Sequence, residues 1–298
     1  MFPQGLGPVR RFDEIDSTNR YLVDEARAGA PNGLVAVAAY QTAGRGRLGR
    51  TWEAPPGANL LVSILVRPPK GDLAELHDCN IAVALGAADA CREAAGIDPG
   101  LKWPNDLVVD GLKLAGVLSE AVPAAAPGGA GPGGAGPAVV VGLGLNVGWP
   151  PSGKPDPGAE PPDATSIARL AAGGARALPT TDEMLAGVLE HSARHLTDLL
   201  SVGGKERQIE EYRRRCVTLG RLVRVEEHSG SFVGTAIGIS DDGYLTVETG
   251  AGRRLVTAGD VVHLRHEKSS EKSSEKGGFA APAAPQVPFR AMGTGGAP

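Results

Sequence analysis

Arginines, a lysine and a carboxylate lie in two short stretches of this sequence, and these residue types bind anionic groups and cations. The stretch QTAGRGRLGRTW carries Arg45, Arg47 and Arg50 between glycines. The stretch LKWPNDLVVDGLKLAG carries Asp106 and Lys113 on either side of a predicted turn. Guanidinium and ammonium groups neutralise phosphates and carboxylates, and a carboxylate is a suitable ligand for Mg²⁺. The two stretches therefore indicate chemistry in which anions must be brought together.

The glycines of the first stretch also fit a different class of site. Residues 44–49, GRGRLG, match the pattern G-x-G-x-x-G of dinucleotide-binding folds, which requires a helix directly after the loop. The chain continues instead with TWEAPPGANL, and Pro55 and Pro56 cannot lie inside a helix because proline lacks the N–H donor. A pyrophosphate cradle made of backbone amides also has no use for three arginines. An NAD site is therefore disfavoured.

Small polar residues and tryptophans accompany the charged ones. Taken singly they have plain explanations, since residues 17–19 are ordinary helix-capping types and WPND is a common turn. Together they are what nucleotide-dependent activation of a carboxylic acid requires, because the attacking carboxylate and the α-phosphate of ATP repel each other until cations and Mg²⁺ neutralise both. A flexible glycine-rich loop can then shield the water-labile acyl-adenylate. The accompanying residues are Ser17, Thr18, Asn19, Gln41, Trp52, Lys102, Trp103 and Asn105.

The overall composition restricts the class of protein. The 298 residues carry a formal net charge of −4 with a pI near 5.9, which argues against a surface that coats nucleic acid. Cys79, Cys91 and Cys216 form no C-x-x-C pair, which favours a reduced protein. The first residues do not resemble a signal peptide, and no apolar run reaches the roughly eighteen residues of a membrane span. We therefore expect a cytoplasmic protein with no membrane partner.

Hydrophobic patterning predicts two structured regions. In the first, apolar strand patterns alternate with helical ones, and Asp110-Gly111 between two apolar runs predicts a hairpin. This alternation predicts a mixed-sheet α/β domain with packed helices. From Leu219 to Arg265 the pattern changes to short strands separated by glycine turns, which predicts a small all-β barrel. The predicted strands include LVAVAAY, NLLVSILVRP and AVVVGLGLNVG, and the predicted helices begin near Thr18 and within AELHDCNIAVALGAADACREAAG, TTDEMLAGVLEHSARHLTDLLS and KERQIEEYRRRC.

Low-complexity segments set the predicted domain limits. The run of Gly, Pro and Ala over 122–138 predicts a flexible insertion, and the tail 267–298 predicts disorder, because neither can bury enough apolar surface to offset its ordering entropy. The proline-rich stretch 149–164 predicts a long loop. We therefore predict a catalytic domain over 1–215 and a barrel domain over 216–266.

Four blocks, DSTN, QTAGRGRLGRTW, LKWPNDLVVDGLKLAGVLSE and VVVGLGLNV, follow one another in the order found in one enzyme family. On these blocks the chain resembles the biotin protein ligases, the biotin--[acetyl-CoA carboxylase] ligases, over about residues 12–265. The resemblance implies a mixed-sheet α/β (α+β) ligase domain followed by an SH3-like barrel. It further implies that biotin and ATP, with Mg²⁺, form biotinyl-5'-AMP, and that biotin then passes to a lysine of a biotin carboxyl carrier protein domain.

The resemblance also implies roles for individual residues, among them packing of Trp52 on adenine and contact of Asn146 with the adenine edge. It implies that Lys113, Arg45 and Asp106 are catalytic and that Asp106 holds Mg²⁺. The base for the acceptor lysine stays open, with Lys102 or Asp106 as candidates. The implied biotin-binding residues are Ser17, Thr18, Asn19, Gln41, Gly44, Arg45, Gly46, Arg47 and Lys113. The implied ATP- and adenylate-binding residues are Arg45, Arg47, Trp52, Lys102, Asn105, Asp106, Lys113 and Asn146.

Four points qualify this interpretation. About a dozen residues precede the DSTN block, so we expect no N-terminal DNA-binding domain of the kind some members carry, and no DNA partner. A lipoate protein ligase would share the sheet and the adenylate chemistry, although the arginine-glycine loop followed by KWPND fits biotin better. A nucleic-acid-binding module is the alternative from another class, and the acidic charge balance disfavours it. The sequence leaves the oligomeric state open, a homodimer included.

Overall fold

The structure is a computed structural model that describes residues 5–68, 75–124, 137–150, 163–172, 177–227 and 230–264. The predicted disordered tail 267–298, most of the predicted insertion 122–138 and most of the proline-rich stretch 149–164 lie outside the described residues. Across the described ranges, no helix is both long enough and apolar enough to cross a membrane.

A seven-stranded mixed sheet organises the first region, as predicted. Its spatial order is β1-β2-β3-β7-β6-β5-β4; β1 and β2 run parallel, and the other neighbours are antiparallel. Val122 of β6 pairs with Ala138 of β7, so the Gly/Pro/Ala segment joins the paired ends of neighbouring strands. The strands are β1 (Val9–Ile15), β2 (Val35–Gln41), β3 (Leu60–Val66), β4 (Gly100–Lys102), β5 (Asp106–Val109), β6 (Leu112–Val122) and β7 (Ala138–Leu145).

Helices cover both faces of this sheet, because its central strands are apolar on both sides. Leu22 of helix α1 packs in one cluster with Ala36, Leu65 and Val140, which lie on β2, β3 and β7, respectively. The opposite face, which includes Val141, packs against α2, and α4 and α5 pack on α2 in turn. The helices are α1 (Thr18–Arg27), α2 (Glu75–Ala95), α3 (Ile167–Leu170), α4 (Thr181–Leu199) and α5 (Gly204–Arg215).

Local sequence signals explain where several elements begin and turn. Ser17 caps α1, since its hydroxyl accepts a hydrogen bond from the Arg20 backbone N–H. The hairpin between β5 and β6 turns at Asp110 and Gly111, whose φ angles of 51° and 81° both lie in the left-handed region. Such a turn favours Asp-Gly, so the predicted hairpin is confirmed.

The second region is a five-stranded antiparallel sheet with the order β11-β10-β9-β8-β12. Alternating residues along its strands are buried, among them Val223, Val225 and Val247. The carbonyl of Gly243 joins this region to the first one, since it accepts hydrogen bonds from His77 Nε2 of α2 at 2.8 Å and from Trp103 Nε1 at 3.0 Å. The five-stranded sheet confirms the predicted all-β domain. Its strands are β8 (Leu222–Glu227), β9 (Gly230–Ile239), β10 (Leu245–Thr249), β11 (Gly252–Val256) and β12 (Asp260–His263).

Candidate functional site

An open cavity lies on the α1 face of the large sheet, and we call it the sheet cavity. Its floor includes Gly142 and Gly144 of β7 and Gly116 of β6, which is paired with Gly144. An added Cβ at Gly142 would lie 2.9 Å from Asn19 Cγ, and one at Gly144 would lie 2.7 Å from Trp52 Cζ2. Real Cβ atoms do not approach this closely, so these glycines let Asn19 and Trp52 rest directly on the strand backbone.

The beginning of α1 supplies uncharged polar groups to one end of the sheet cavity. Ser17, Thr18 and Asn19 are each less than 5% exposed. The backbone N–H of Thr18 donates to Gln41 Oε1 at 2.7 Å, and its hydroxyl approaches the same oxygen at 3.1 Å. These contacts join the start of α1 to the end of β2, so two of the predicted blocks form one polar wall.

Asn19 is held at its amide oxygen and its amide nitrogen. Its Oδ1 accepts from Ser63 Oγ at 2.6 Å, and its Nδ2 donates to Leu118 O at 3.2 Å and to Glu120 Oε2 at 2.8 Å. Ser63 and Glu120 had no role in the sequence-based interpretation. The sequence does mark Ser63, because it is the one hydroxyl residue in the otherwise apolar strand LLVSILV. Side chains alternate along a strand, and Ser63 belongs to the set that faces α1.

Residues 44–52, which we call the arginine loop, form a narrow antiparallel turn beside the cavity. Arg45 and Thr51 form an isolated antiparallel β-bridge through their backbones, and the Gly46 N–H donates to Arg50 O at 2.7 Å. An added Cβ at Gly44 would overlap the carbonyl oxygen of Trp52, and Gly49 has a φ of 75°. The glycines therefore serve the tight turn, whereas the arginines reach the cavity rim.

Carboxylates of the large sheet pair with two of the cations at the cavity. Lys113 Nζ lies 2.7 Å from Asp106 Oδ1, and Arg45 Nη1 lies 3.3 Å from Glu120 Oε1. Because Glu120 also accepts from Asn19, one carboxylate connects the polar wall to the arginine loop.

Arg47 is the most enclosed of the loop arginines. Its Nη1 donates to Asn105 Oδ1 at 3.3 Å, and its Nη2 donates to Gly259 O at 3.1 Å. Burial lowers the pKa of Arg47 from its ordinary value, while Asp260 and Asp106 act in the opposite direction. A guanidinium stays protonated in proteins, so Arg47 brings a positive charge to a partly desolvated position.

Trp52 gives the cavity a flat apolar surface. Its ring lies against Gly116 and Gly144, and Lys113 Nζ is 5.4 Å from the ring centroid. Within the described ranges, the Trp52 Nε1 proton has no hydrogen-bond acceptor. The indole is therefore positioned by packing alone.

Most of the predicted site residues meet in this cavity, and three do not line it. Gly44 lies in the loop itself and borders an adjoining surface depression. Lys102 lies beside His263 of the barrel, to which it is electrostatically coupled. The predicted residues that line the cavity are Ser17, Thr18, Asn19, Gln41, Arg45, Gly46, Arg47, Trp52, Asn105, Asp106 and Lys113.

Asn146 is buried and does not line the cavity, and its expected contact with the adenine edge stays a prediction. Its Oδ1 accepts from Asn59 Nδ2 at 3.0 Å, and its Nδ2 donates to Thr165 O at 3.0 Å and Lys113 O at 3.3 Å. Because both ends of the amide are bonded within the chain, its observed contribution is to fix the Lys113 backbone. Trp103 is likewise buried, and its ring N–H bonds the barrel.

The described residues contain no cluster of three or more His, Cys, Asp or Glu side chains that could enclose a metal ion. The sheet cavity does contain the Asp106 carboxylate next to Lys113 and close to Arg47. Mg²⁺ commonly keeps its waters and binds one or two carboxylates together with substrate phosphates. Asp106 therefore fits a metal that arrives with a nucleotide better than a resident metal.

Comparison with known proteins places this chain in a family. Residues 12–130 match the Biotin/lipoate A/B protein ligase family, and residues 218–264 match the Biotin protein ligase C terminal domain. The biotin--[acetyl-CoA-carboxylase] ligase of Mycobacterium tuberculosis is 35% identical over 85% of this chain and 87% of its own length. That of Paracoccus denitrificans is 32% identical over 83% and 96%, respectively. The structure of a biotin protein ligase from Aquifex aeolicus in complex with biotin and ATP matches 87% of this chain and 100% of that chain, with 26% identity and a TM-score of 0.69. The chain belongs to the biotin protein ligase family.

Proposed function

We propose that this protein activates biotin with ATP to biotinyl-5'-AMP and transfers biotin to a lysine of a biotin carboxyl carrier protein domain. The observation that carries the proposal is the division of the sheet cavity into an uncharged polar end and a cationic rim. Biotin has the same division, because a neutral ureido ring and a carboxylate stand at opposite ends of the molecule. Membership of the family supports the same reaction.

The uncharged end suits the ureido ring. A urea offers two N–H donors and one carbonyl acceptor, and neutral hydroxyl and amide groups can satisfy all of them. Thr18, Asn19 and Gln41 supply such groups, and hydrogen bonds within the protein fix their orientation before a ligand arrives, from Thr18 to Gln41 and from Ser63 to Asn19. Ser17 adds a buried hydroxyl, and Ser63 holds Asn19 in place.

The cationic rim suits the activation step. The carboxylate oxygen of biotin attacks the α-phosphorus of ATP, a new O–P bond forms, and the bond to the leaving pyrophosphate breaks. Lys113, Arg45 and Arg47 carry the positive charge that this step needs, because negative charge accumulates around the phosphorus. Trp52 and Asn105 border the same space and are assigned to the adenylate.

Asp106 is assigned to Mg²⁺, which would neutralise the phosphate oxygens of ATP when bound. The carboxylate now pairs with Lys113 at 2.7 Å, so binding of the metal nucleotide would free the ammonium group for the reacting phosphate. In the transfer step the acceptor amine attacks the acyl carbon of biotinyl-5'-AMP, the acyl–phosphate bond breaks, and AMP leaves. The amine also loses one proton in this step, which leaves biotin joined to the lysine through an amide bond.

A reconstituted reaction tests the proposal. The full-length protein is incubated with biotin, ATP, Mg²⁺ and a purified carrier domain, and the carrier mass and the released pyrophosphate are measured. We expect a biotinyl mass increase that disappears when the acceptor lysine of the carrier is replaced by arginine. Lipoate or octanoate transfer without biotin transfer would instead identify the lipoate branch. Tight, salt-sensitive DNA binding without any acyl transfer would favour the nucleic-acid-binding alternative.

A further inference from the structure

Asp260 at the start of β12 is a carboxylate of the barrel that reaches the sheet cavity. Its side chain is only 14% exposed, and it forms ion pairs with Arg50 and with Arg47, the latter at 3.5 Å. A carboxylate beside a phosphate-binding site is unfavourable unless its charge is engaged, because like charges repel at short range. Here two arginines of the loop engage it.

The barrel contacts both ends of one turn of the arginine loop. Arg47 begins the turn Arg47–Gly49, Arg50 follows it, and the Arg50 N–H donates to Arg47 O at 3.1 Å. Arg47 also donates to the carbonyl of Gly259, the residue before Asp260. The turn is therefore fixed at two points by consecutive barrel residues.

The barrel side of this contact is held by strand pairing. Asp260 pairs with Glu226 of β8, and the next residue, Val261, is buried in the barrel. Gly259 has a φ of 153°, and an added Cβ there would lie 2.9 Å from Glu226 O. By contrast, the loop contains three glycines, which lose more conformational freedom on ordering than other residues do.

We propose that Asp260 is a positioning residue for the activation step, an inference that rests on the function proposed above. By binding Arg47 and Arg50, it holds the arginine loop over the cavity before ATP arrives, with Arg47 against Asn105. A loop that is already placed loses less entropy when the adenylate binds. The barrel thus contributes to nucleotide affinity without touching the biotin end.

The test compares Asp260→Asn and Asp260→Ala with the control Glu226→Gln. Glu226 lies opposite Asp260 in the same barrel, but its side chain pairs with Arg224 rather than with the loop. For both Asp260 variants we expect the KM for ATP and the dissociation rate of biotinyl-5'-AMP to rise about tenfold, with a smaller change in biotin affinity and an unchanged melting temperature. The control should behave like the unmodified protein in all four measurements.

Three results would overturn the inference. The first is that the Asp260 variants are indistinguishable from the control. The second is a lowered KM for ATP, which would make Asp260 a competitor of the phosphates. The third is a parallel loss of biotin binding and thermal stability. Failure of the unmodified protein to biotinylate a carrier would instead refute the proposed function. In that case trypsin cleavage after Arg47 and Arg50, followed by mass spectrometry without ligands, still tests the contact. Asp260→Asn should accelerate that cleavage relative to Glu226→Gln.

Discussion

Replacement of Gly142 by alanine tests whether the bare strand backbone positions the biotin-binding end of the cavity. The new Cβ would lie 2.9 Å from Asn19 Cγ and 3.2 Å from Asn19 Nδ2, and closer still to Oδ1. The backbone of β7 cannot yield easily, because Gly142 lies in the middle of this strand between β3 and β6. Asn19 must therefore leave its place on the strand.

The expected cost follows from the contacts that Asn19 would lose. Its side chain makes three hydrogen bonds, to Ser63, Leu118 and Glu120. At about 0.5–1.5 kcal/mol each, loss of all three should lower the free energy of unfolding by about 1.5–4.5 kcal/mol. For a domain of this size class that lowers the melting temperature by about 5 to 15 °C. Biotin affinity should fall by more than about tenfold, because the displaced amide no longer faces the ligand.

Calorimetry measures both quantities on the same preparations, with Gly238→Ala as the matched control. Gly238 is also a strand glycine, and an added Cβ there meets no atom within 4 Å. The control should bind biotin normally and be as stable as the unmodified protein or slightly more so, since alanine restricts the unfolded chain. If Gly142→Ala bound biotin within about twofold of the unmodified protein, the packing of Asn19 on β7 would not be what positions it.

Three further predictions concern charge. Arg45→Ala should shorten the lifetime of bound biotinyl-5'-AMP but change stability by less than about 1 kcal/mol, because Arg45 forms an exposed ion pair. The control Arg27→Ala removes another exposed ion pair and should change stability equally little. Stopped-flow measures the lifetime and thermal melting the stability, and an equal loss of both properties would make the loop structural. Lys113→Ala should lower the rate of pyrophosphate release by more than about 100-fold while biotin binding persists, which calorimetry and a coupled assay can separate. Burial, assisted by nearby cations, lowers the pKa of His263 from 6.5 to about 4. The unfolded chain then binds a proton that the folded chain excludes, so stability should decrease as the pH falls from about 6.5 to about 4. Urea unfolding should show a smaller decrease for His263→Asn, and an unchanged slope would contradict the assignment.

Features set by neighbouring residues in the chain were predictable from the sequence. The capping of α1 by Ser17 and the turn at Asp110-Gly111 depend on side chains and φ angles within a few residues. Strand β1 was not predicted, because VRRFDEI is largely exposed and lacks an apolar alternation. It forms by parallel pairing with β2, and such pairing depends on residues distant in the sequence.

The same distinction explains which site residues were found. Arg45 and Arg47 were predictable as site residues because charged residues between glycines are unusual, and both line the cavity. Ser63, Glu120 and Asp260 are ordinary residues in strand sequences, and each acquires a contact with the site only when separate elements pack together. Lys102 and Lys113 are lysines of the same block, and only Lys113 lines the cavity.

The position of Lys113 depends on an irregularity that no residue type announces. Along β6 the even-numbered residues Gly116 and Leu118 line the cavity, so a regular strand would point residue 113 to the opposite face. The pairing of β5 with β6 shifts at this point, because Leu107 pairs with Ala115 whereas Val108 pairs with Lys113. Such a bulge adds one residue to β6 and reverses the alternation, which turns Lys113 toward the cavity. The hydrogen bond from Asn146 to the Lys113 carbonyl then supports the irregular backbone. The catalytic assignment of Lys113 thus depends on a backbone feature that the hairpin pattern alone does not predict.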